Sequence, residues 1–200
     1  MYRGLYTAAS GMNLQLHRQD AIANNLANID TTGYKRDEAI GISFRERLLY
    51  AIDRQGIAPI GYTSPGVQVS EVHTDLRPGS YLVTGNPLDV ALSGEGFFLV
   101  DGPGGPYLTR SGSFTKDAEG FLVTAEGEYV LGERGIIPLH GGKVDIAEDG
   151  TVYVDDLPVE RILVVRPEDP AALEKVGHNR FRLQGGWQRA GMETLVLQGQ

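Results

Sequence analysis

The stretch Ala23–Arg36, ANNLANIDTTGYKR, marks the point where one kind of sequence gives way to another. Apolar residues recur with a helical period before it, whereas glycine, proline and short polar residues interrupt the chain after it. Short polar side chains compete for backbone hydrogen bonds and end helices, and glycine adopts the left-handed conformation that closes them. The stretch supplies these at Asn28, Asp30, Thr31, Thr32 and Gly33. We therefore expect a helix to end near Asn28 or Ile29, with Gly33 closing it.

Upstream of this stretch, apolar residues repeat at alternating spacings of four and three, which places them on one face of an α-helix. The slot in this pattern that is not apolar holds Gln19. Gly4 and Gly11 each weaken an isolated helix by roughly 1 kcal/mol relative to alanine, so the helix is marginal alone in water. Its apolar face is predicted to need a partner, either other subunits or the protein's own β-rich body. This assembly seam consists of Leu5, Ala9, Met12, Leu16, Ala23 and Leu26.

From Val67 onward the period changes to two, as in half-buried strands, with turn residues between short apolar runs. We predict a mainly β protein, an all-β body of short antiparallel strands in Greek-key or meander order, preceded by an N-terminal amphipathic α-helical arm. The predicted strands are Val67–Val72, Tyr81–Val83, Leu88–Leu92, Phe97–Val100, Tyr107–Arg110, Phe121–Val123, Tyr129–Leu131, Lys143–Ile146, Thr151–Val154, Val159–Val165 and Arg180–Leu183. The predicted division is residues 1–33 for the arm, 34–66 for a connector and 67–200 for the β-rich body.

Within the connector, Phe44, Leu48 and Ile52 fall on one helical face, which favours a short helix over residues 44–50. Glycine and proline punctuate residues 56–66, which predicts a loop. Further along, Pro170 followed by Ala171–Lys175 predicts one helical turn.

Composition excludes several classes of function. The 200 residues carry a formal net charge of −8, which argues against a nucleic-acid partner because such partners require a basic face. The absence of cysteine excludes disulfides, thiolate metal sites and cysteine nucleophiles. No apolar run is long enough to span a bilayer, and the N-terminus lacks the pattern of a cleaved secretory signal.

No set of residues has the pattern of a catalytic, cofactor or metal site. The histidines His17, His73, His140 and His178 show no metal-type spacing, and Ser93 lies outside a nucleophile motif. Residues 145–156 resemble a calcium loop but have Ala147 at the third position, and a β-hairpin with an Asp149–Gly150 turn explains them better. We expect no enzyme, no cofactor, no metal and no small-molecule substrate.

The same hinge stretch resembles the N-terminal signature of the bacterial flagellar rod and hook proteins. The motif residues are Asn24, Asn25, Leu26, Asn28, Thr32, Gly33, Tyr34 and Lys35, and the start of the chain, Gly4–Met12, is similar to the same family. Segments further along, Gly85–Val100, Tyr107–Phe114 and Gly120–Thr124, resemble the opening strands and hairpins of the family's β domain. The resemblance covers essentially the whole chain.

This resemblance implies a structural subunit of the flagellar basal-body rod, a homopolymer that contacts neighbouring rod and hook proteins. It implies export by the flagellum's own apparatus without a cleaved signal. Phe44 and Leu48 resemble the family's hydrophobic export-gate signal, while a local anchor against the β body is an equal alternative. A hook component and a non-polymerising adaptor or capping protein are the alternatives to the rod. Length favours the rod, because hook proteins of this family insert an additional outer β domain, and the proximal and distal rod types are not distinguished.

In the family, a C-terminal helical segment follows the β body and pairs with the N-terminal helix. This chain reaches Gln200 about where that segment would begin. Two readings follow, a shortened form of a longer protein or a protein without the second helix, and we favour the first.

Overall fold

A computed structural model describes residues 2–53, 56–63, 66–177, 179–183, 185–190 and 195–198. It confirms the predicted fold class, since antiparallel sheets follow an N-terminal helix, α1 (Tyr2–Ala27). The chain forms two compact units, whose boundaries differ from the predicted division into arm, connector and body. Met1–Asp30 and Lys35–Leu76 make up the first unit, whereas Thr31–Tyr34 and Arg77–Gln200 make up the second. Among the described residues, no helix combines the length and apolar character needed to cross a bilayer.

The first unit contains α1 and two antiparallel strand pairs. Strand β1 (Asp37–Ser43) pairs with β4 (Val67–Thr74), with a register shift at Ile40–Gly41. Strand β2 (Arg47–Asp53) pairs with β3 (Gly56–Thr63) from Arg47↔Thr63 to Asp53↔Gly56.

The predicted helix over residues 44–50 is therefore wrong, as is the predicted loop over residues 56–63. Phe44, Leu48 and Ile52 are spaced by four, a spacing that fits the period of a strand as well as that of a helix. Pro59, which suggested a loop, lies in a two-stranded sheet, where every strand is an edge strand and proline is tolerated.

The second unit is built from short strands. Its central sheet has the order β15-β16-β7-β6-β10-β9-β8, with β14 also paired to β6 and β17 paired to β14. A second sheet has the order β11-β12-β13, and β18 pairs with β5. The bounds are β5 Val90–Ser93, β6 Phe97–Gly102, β7 Gly105–Thr109, β8 Phe114–Lys116, β9 Leu122–Thr124, β10 Tyr129–Val130, β11 Val144–Ile146, β12 Thr151–Val154, β13 Leu157–Arg161, β14 Val164–Pro167, β15 Leu173–Gly177, β16 Arg180–Leu183, β17 Trp187–Arg189 and β18 Leu195–Gln198.

Three local predictions for this unit need correction. The predicted strand Val159–Val165 is divided between β13 and β14, which belong to different sheets. Tyr81–Val83 forms no ladder, although the Tyr81 hydroxyl donates a hydrogen bond to the Leu92 carbonyl. The helical turn predicted after Pro170 is a 3₁₀ turn limited to Pro170–Ala172, because Leu173 already pairs with Leu183 in the β15–β16 ladder.

The core of the second unit is apolar and fully enclosed. Phe98 and Phe114 meet edge to face, with ring centroids 5.1 Å apart. Burying a side chain of this size contributes roughly 1.5–3 kcal/mol relative to exposure, so the core supplies most of the driving force for the sheets. The other members include Val100, Leu122, Val130, Ile137, Leu139, Ile146, Val152 and Ile162.

An acidic turn closes the β12–β13 hairpin. Asp155 and Asp156 have φ values of 51° and 62°, and a two-residue hairpin turn of type I′ requires positive φ at both of these positions. The Asp155 carboxylate accepts backbone N–H bonds from Lys143 at 2.9 Å and from Gly142 at 3.1 Å. These bonds to Lys143 and Gly142 lower the pKa of Asp155 below its usual value, because they stabilise the charged form.

Replacing Asp155 with asparagine should weaken the acid dependence of stability. A carboxyl whose folded-state pKa is depressed stabilises the protein above its unfolded-state pKa, and that contribution is lost as the pH falls through the folded-state pKa. We expect the urea-unfolding free energy to fall less between about pH 7 and about pH 3 in Asp155→Asn than in the wild type. Asp156→Asn is the matched control, since it alters the same turn without touching the bonds to Gly142 and Lys143. Equal acid slopes for the wild type and Asp155→Asn would contradict the assignment.

Candidate functional site

Helix α1 packs on its own unit through one face only. Leu14 is 8% exposed, and a Cβ atom added at Gly41 would collide with its side chain, so helix and strand β1 are in close contact. The Ser10 Oγ accepts a hydrogen bond from the Val67 backbone N–H at 3.2 Å, which ties the same face to β4. The first unit therefore fixes the rotation of α1 about its own axis.

The seam residues lie on the opposite face. At roughly 100° per residue, they are centred about half a turn away from Leu14. Leu5, Met12, Leu16 and Leu26 are exposed to between 60% and 66%, and Ala9 and Ala23 are also exposed. The sequence left two partners open for the seam, other subunits or the protein's own β-rich body. The helix packs on its own β strands, but with the face that does not carry the seam. The role of the seam in assembly stays a prediction.

The end of α1 is tied to β1 by one side chain of the motif. The Asn25 Nδ2 donates to the Asp37 carbonyl at 2.9 Å, and the Asp37 N–H donates to the Asn25 Oδ1 at 3.0 Å. Asn25 thus satisfies both backbone groups of Asp37, as a neighbouring strand would do. Asp37 also accepts the Thr74 hydroxyl at 2.7 Å, which joins the helix end to both strands of the β1–β4 pair.

Two further motif asparagines close the helix. The Asn28 Nδ2 donates to the Asn24 carbonyl at 2.8 Å, and the backbone N–H groups of Asn28 and Ile29 donate to carbonyls three residues earlier. These bonds satisfy carbonyl groups that the last turn of a helix leaves without partners. The helix ends at Ala27, close to the predicted position.

Gly33 does not close the helix, contrary to expectation, because it lies well beyond Ala27. It has φ of +67°, and a Cβ atom there would overlap the backbone of Arg110 and Ser111. Both the positive φ and this close approach require glycine. Gly33 therefore serves contact with the second unit, to which residues 31–34 belong.

Side chains and carbonyls on both sides of Gly33 bind the same unit. Thr32 Oγ1 lies 3.0 Å from Ser111 Oγ, and the Thr32 carbonyl accepts a hydrogen bond from the Asn179 Nδ2. The Lys175 Nζ sits 4.2 Å from the centroid of the Tyr34 ring, a cation–π contact. We call these contacts of Thr32, Gly33 and Tyr34 the clasp.

The remaining candidates lie apart from the clasp. Lys35 is 8% exposed, and Arg36 forms a 3.0 Å ion pair with Asp75 in the first unit. Phe44 and Leu48 are 42% and 37% exposed, and the Phe44 N–H donates to the Gly66 carbonyl at 3.0 Å. Their role as an export signal stays a prediction.

Asp149, in the segment that resembles a calcium loop, has a structural role. Asp149 accepts the Thr151 N–H at 3.0 Å and the Thr151 hydroxyl at 2.8 Å, and these bonds lower the pKa of Asp149. It therefore builds the predicted β11–β12 turn. Within the described ranges no three acidic or histidine side chains converge as metal ligands, and His178 lies outside those ranges.

The sequence did not predict the residues that receive the motif. Asn179 is 147 positions from Thr32, and Lys175 and Ser111 are similarly remote from their partners. Asp37 looked like an ordinary connector residue. A single sequence gives no signal for such pairs, because neither spacing nor periodicity links them.

Asn25→Asp should destabilise the first unit. The aspartate keeps an acceptor for the Asp37 N–H but loses the donor to the Asp37 carbonyl and places a charge against that oxygen. We expect a loss of about 1–3 kcal/mol in urea unfolding, together with faster amide exchange at Asp37. Asn24→Asp is the control, because it adds the same charge in the same turn at an exposed position. Equal losses in the two variants would show that the Asp37 bonds contribute nothing.

Comparison with known proteins agrees with this geometry. Residues 5–35, which contain the seam and the motif, match the model of the family described as "Flagella basal body rod protein". Residues 91–154 match the "Flagellar hook protein FlgE/F/G D1 domain", and they cover the core strands of the second unit. The match at residues 5–35 thus falls on the residues that carry the exposed seam and the clasp.

Individual relatives cover most of the chain. The chain is 36% identical to the flagellar basal-body rod protein FlgG of Agrobacterium fabrum, over 90% of its own length and 73% of the relative's. It is 34% identical to the rod protein FlgF of Caulobacter vibrioides, over 91% and 73%. The flagellar hook protein FlgE of Rhizobium meliloti is 37% identical, over 76% of this chain but only 38% of the hook protein. The chain belongs to the flagellar basal-body rod protein family.

Proposed function

We propose that this protein is a structural subunit of the flagellar basal-body rod and acts by assembly rather than by catalysis. The observation that carries the proposal is the exposed seam on α1, within a segment that matches the rod-protein family. The helix is anchored through Leu14 and Asn25, so the seam is presented on a held surface rather than on a loose peptide.

The seam supplies the driving force for assembly. Four large apolar side chains, Leu5, Met12, Leu16 and Leu26, are more than half exposed. Complete burial of an exposed side chain of this size contributes roughly 1.5–3 kcal/mol. Because these four are 60% to 66% exposed, burying the rest of each would supply part of that gain and offset part of the entropy of fixing a subunit in a lattice. The seam spacing of four and three suits packing against other helices, and the partners are further copies of this chain and neighbouring rod and hook subunits. The β units would then form lateral contacts at larger radius.

A rod subunit fits better than a hook component or an adaptor. The rod relatives FlgG and FlgF match 90% and 91% of this chain, whereas the hook relative FlgE matches 76% of it, so more of this chain has a counterpart in the rod proteins. An adaptor or cap would show a fixed stoichiometry, whereas a rod subunit polymerises to a size that depends on concentration. As a rod subunit, the protein lies in the flagellar basal body, in the shaft that spans the cell envelope.

Export is the second part of the proposal. Phe44 and Leu48 lie four residues apart, and both are at least one-third exposed, so the pair is accessible to a receptor in the export apparatus. Replacing both with alanine should reduce secretion of the protein while its cytoplasmic level is maintained. Tyr50→Ala, at an exposed position in the same strand, is the control. Secretion of the double variant at the wild-type level would reject an export role for the pair.

Leu16→Asp should abolish assembly without unfolding the subunit. The seam is exposed, so a charge there should change the subunit's unfolding free energy by no more than about 0.5 kcal/mol. In helix packing the same charge would be buried and unpaired, which is strongly unfavourable. We expect purified basal bodies to lack the variant. Immunogold labelling of the protein on these particles, viewed by electron microscopy, measures this. Gln15→Asp, exposed but outside the seam, is the control. Basal bodies that carry Leu16→Asp at wild-type levels would contradict the proposal.

A further inference from the structure

The clasp joins the motif to residues that are 79 to 147 positions away in the chain, counted from Thr32. Its receiving side is formed by Ser111, Lys175 and Asn179, and all of its contacts lie within the second unit. We infer that Lys175 and Asn179 are positioning residues that fix residues 31–34 on this unit, and that the clasp is the point where force on the helical arm enters the β-rich unit. The mechanical part of the inference rests on the proposed function as a rod subunit.

The receiving side is built on a paired ladder rather than on a free loop. Strands β15, β16 and β7 are consecutive neighbours, with Lys175 opposite Phe181 and Arg180 opposite Thr109. Lys175 lies in β15, Asn179 immediately precedes β16, and Ser111 follows β7 closely. The residues that grip the motif are therefore held by the backbone hydrogen bonds of three strands, which limits how far they can shift.

Asn179 has the features of a residue retained for a specific contact. It is 7% exposed and has φ of +58°, which is unusual for a residue other than glycine although asparagine tolerates it. Its carbonyl accepts the Thr109 hydroxyl at 3.0 Å, and its Nδ2 donates to the Thr32 carbonyl. Among the described residues its Oδ1 has no hydrogen-bond partner. Glycine would satisfy the positive φ without burying a polar side chain, so the contact with Thr32 explains why an amide occupies the position.

Gly33 and Tyr34 restrict which residue types can make the clasp contacts. The Cα of Gly33 faces the backbone of Arg110 and Ser111, where any Cβ atom would overlap it. The next residue, Tyr34, presents its ring to the Lys175 ammonium group, and its own N–H donates to the Thr31 carbonyl at 3.3 Å. The unit thus binds a short turn with a bare Cα followed by an aromatic ring.

The path of the chain between the two units explains why the clasp would carry force. Residues 30 and 35, on either side of the clasped segment, belong to the first unit. Along the covalent chain, a pull that arrives from residue 30 passes through residues 31–34 before it reaches the remainder of the second unit. Without the clasp, that tension would pass on through residue 35 to the next covalent crossing, between Leu76 and Arg77.

The first test follows the clasp in the free protein by amide hydrogen exchange. Tyr34→Leu and Lys175→Met should each accelerate exchange at the backbone amide of residue 34 by about two- to tenfold, relative to the intrinsic rate of the residue there, because they remove the cation–π contact. Tyr34→Trp and Lys175→Arg keep a ring and a cation and should retain the wild-type protection. Lys143→Met removes a charge elsewhere in the same unit and is the control. Exchange at Val152, in the core, should not change in any of these variants.

A second variant guards against misfolding. Asn179→Gly keeps the positive φ but removes the amide, so the hairpin should fold while residues 31–34 lose protection. If exchange at the amide of residue 34 is unchanged in Tyr34→Leu, Lys175→Met and Asn179→Gly, the inference that the clasp fixes residues 31–34 is overturned. Equal loss in Lys175→Met and Lys175→Arg would also overturn it, since that result would indicate a structural role for the lysine stem alone.

The second test separates the clasp from the proposed function. In flagellated cells, Lys175→Met should assemble basal bodies in normal number but give slower rotation of tethered cells under viscous load, and Lys175→Arg should restore the speed. Normal speed in Lys175→Met would overturn the mechanical inference. Absence of the wild-type protein from basal bodies would refute the proposed function and the force path with it, while the exchange experiment would still decide whether Lys175 and Asn179 hold the motif.

Discussion

The contact between Leu14 and Gly41 decides which face of α1 remains available. Gly41 has no side chain, and Leu14 fills the space that a Cβ atom would take, so the helix rests on β1 in one rotational setting. The Ser10 and Asn25 bonds lie on the same face, one on each side of Leu14 along the helix, and hold the helix in this setting. Because the seam lies half a turn away, packing inside the unit and the exposure of the seam are two results of one constraint.

Much of the fold could be predicted from periodicity and turn chemistry. The β11–β12 hairpin with its Asp149–Gly150 turn forms as the sequence indicates, and α1 ends close to the predicted residue. The β2–β3 hairpin was mistaken for a helix and a loop because a spacing of four fits both periods, and Pro59 acts as a breaker only in central strands. Local patterns determine elements well when only one period fits them.

The candidate functional site also has one part that the sequence predicts and one part that it does not. The seam could be identified from the sequence because helical spacing alone defines it, and its exposure follows once the opposite face is packed. The clasp could not be identified, because its motif side and its receiving side are joined only by tertiary structure. Gly33 shows the difference, since a glycine after a helix is typical of a cap but this one allows a backbone approach to Arg110. The residue type was informative about conformation and uninformative about the partner.

The seam and the clasp also differ in the kind of interaction that they offer. Burial of apolar surface is non-directional, so in the proposed assembly the seam would contribute affinity without fixing a direction. Hydrogen bonds to the backbone of Asp37 and Thr32 are directional, and the close approach at Gly33 permits almost no displacement. In the proposed rod subunit, a non-directional apolar face and directional polar contacts would therefore lie at neighbouring positions in the chain. Residues 28–34, which are mostly polar and include Gly33, directly follow the amphipathic helix and supply the groups that make the clasp contacts.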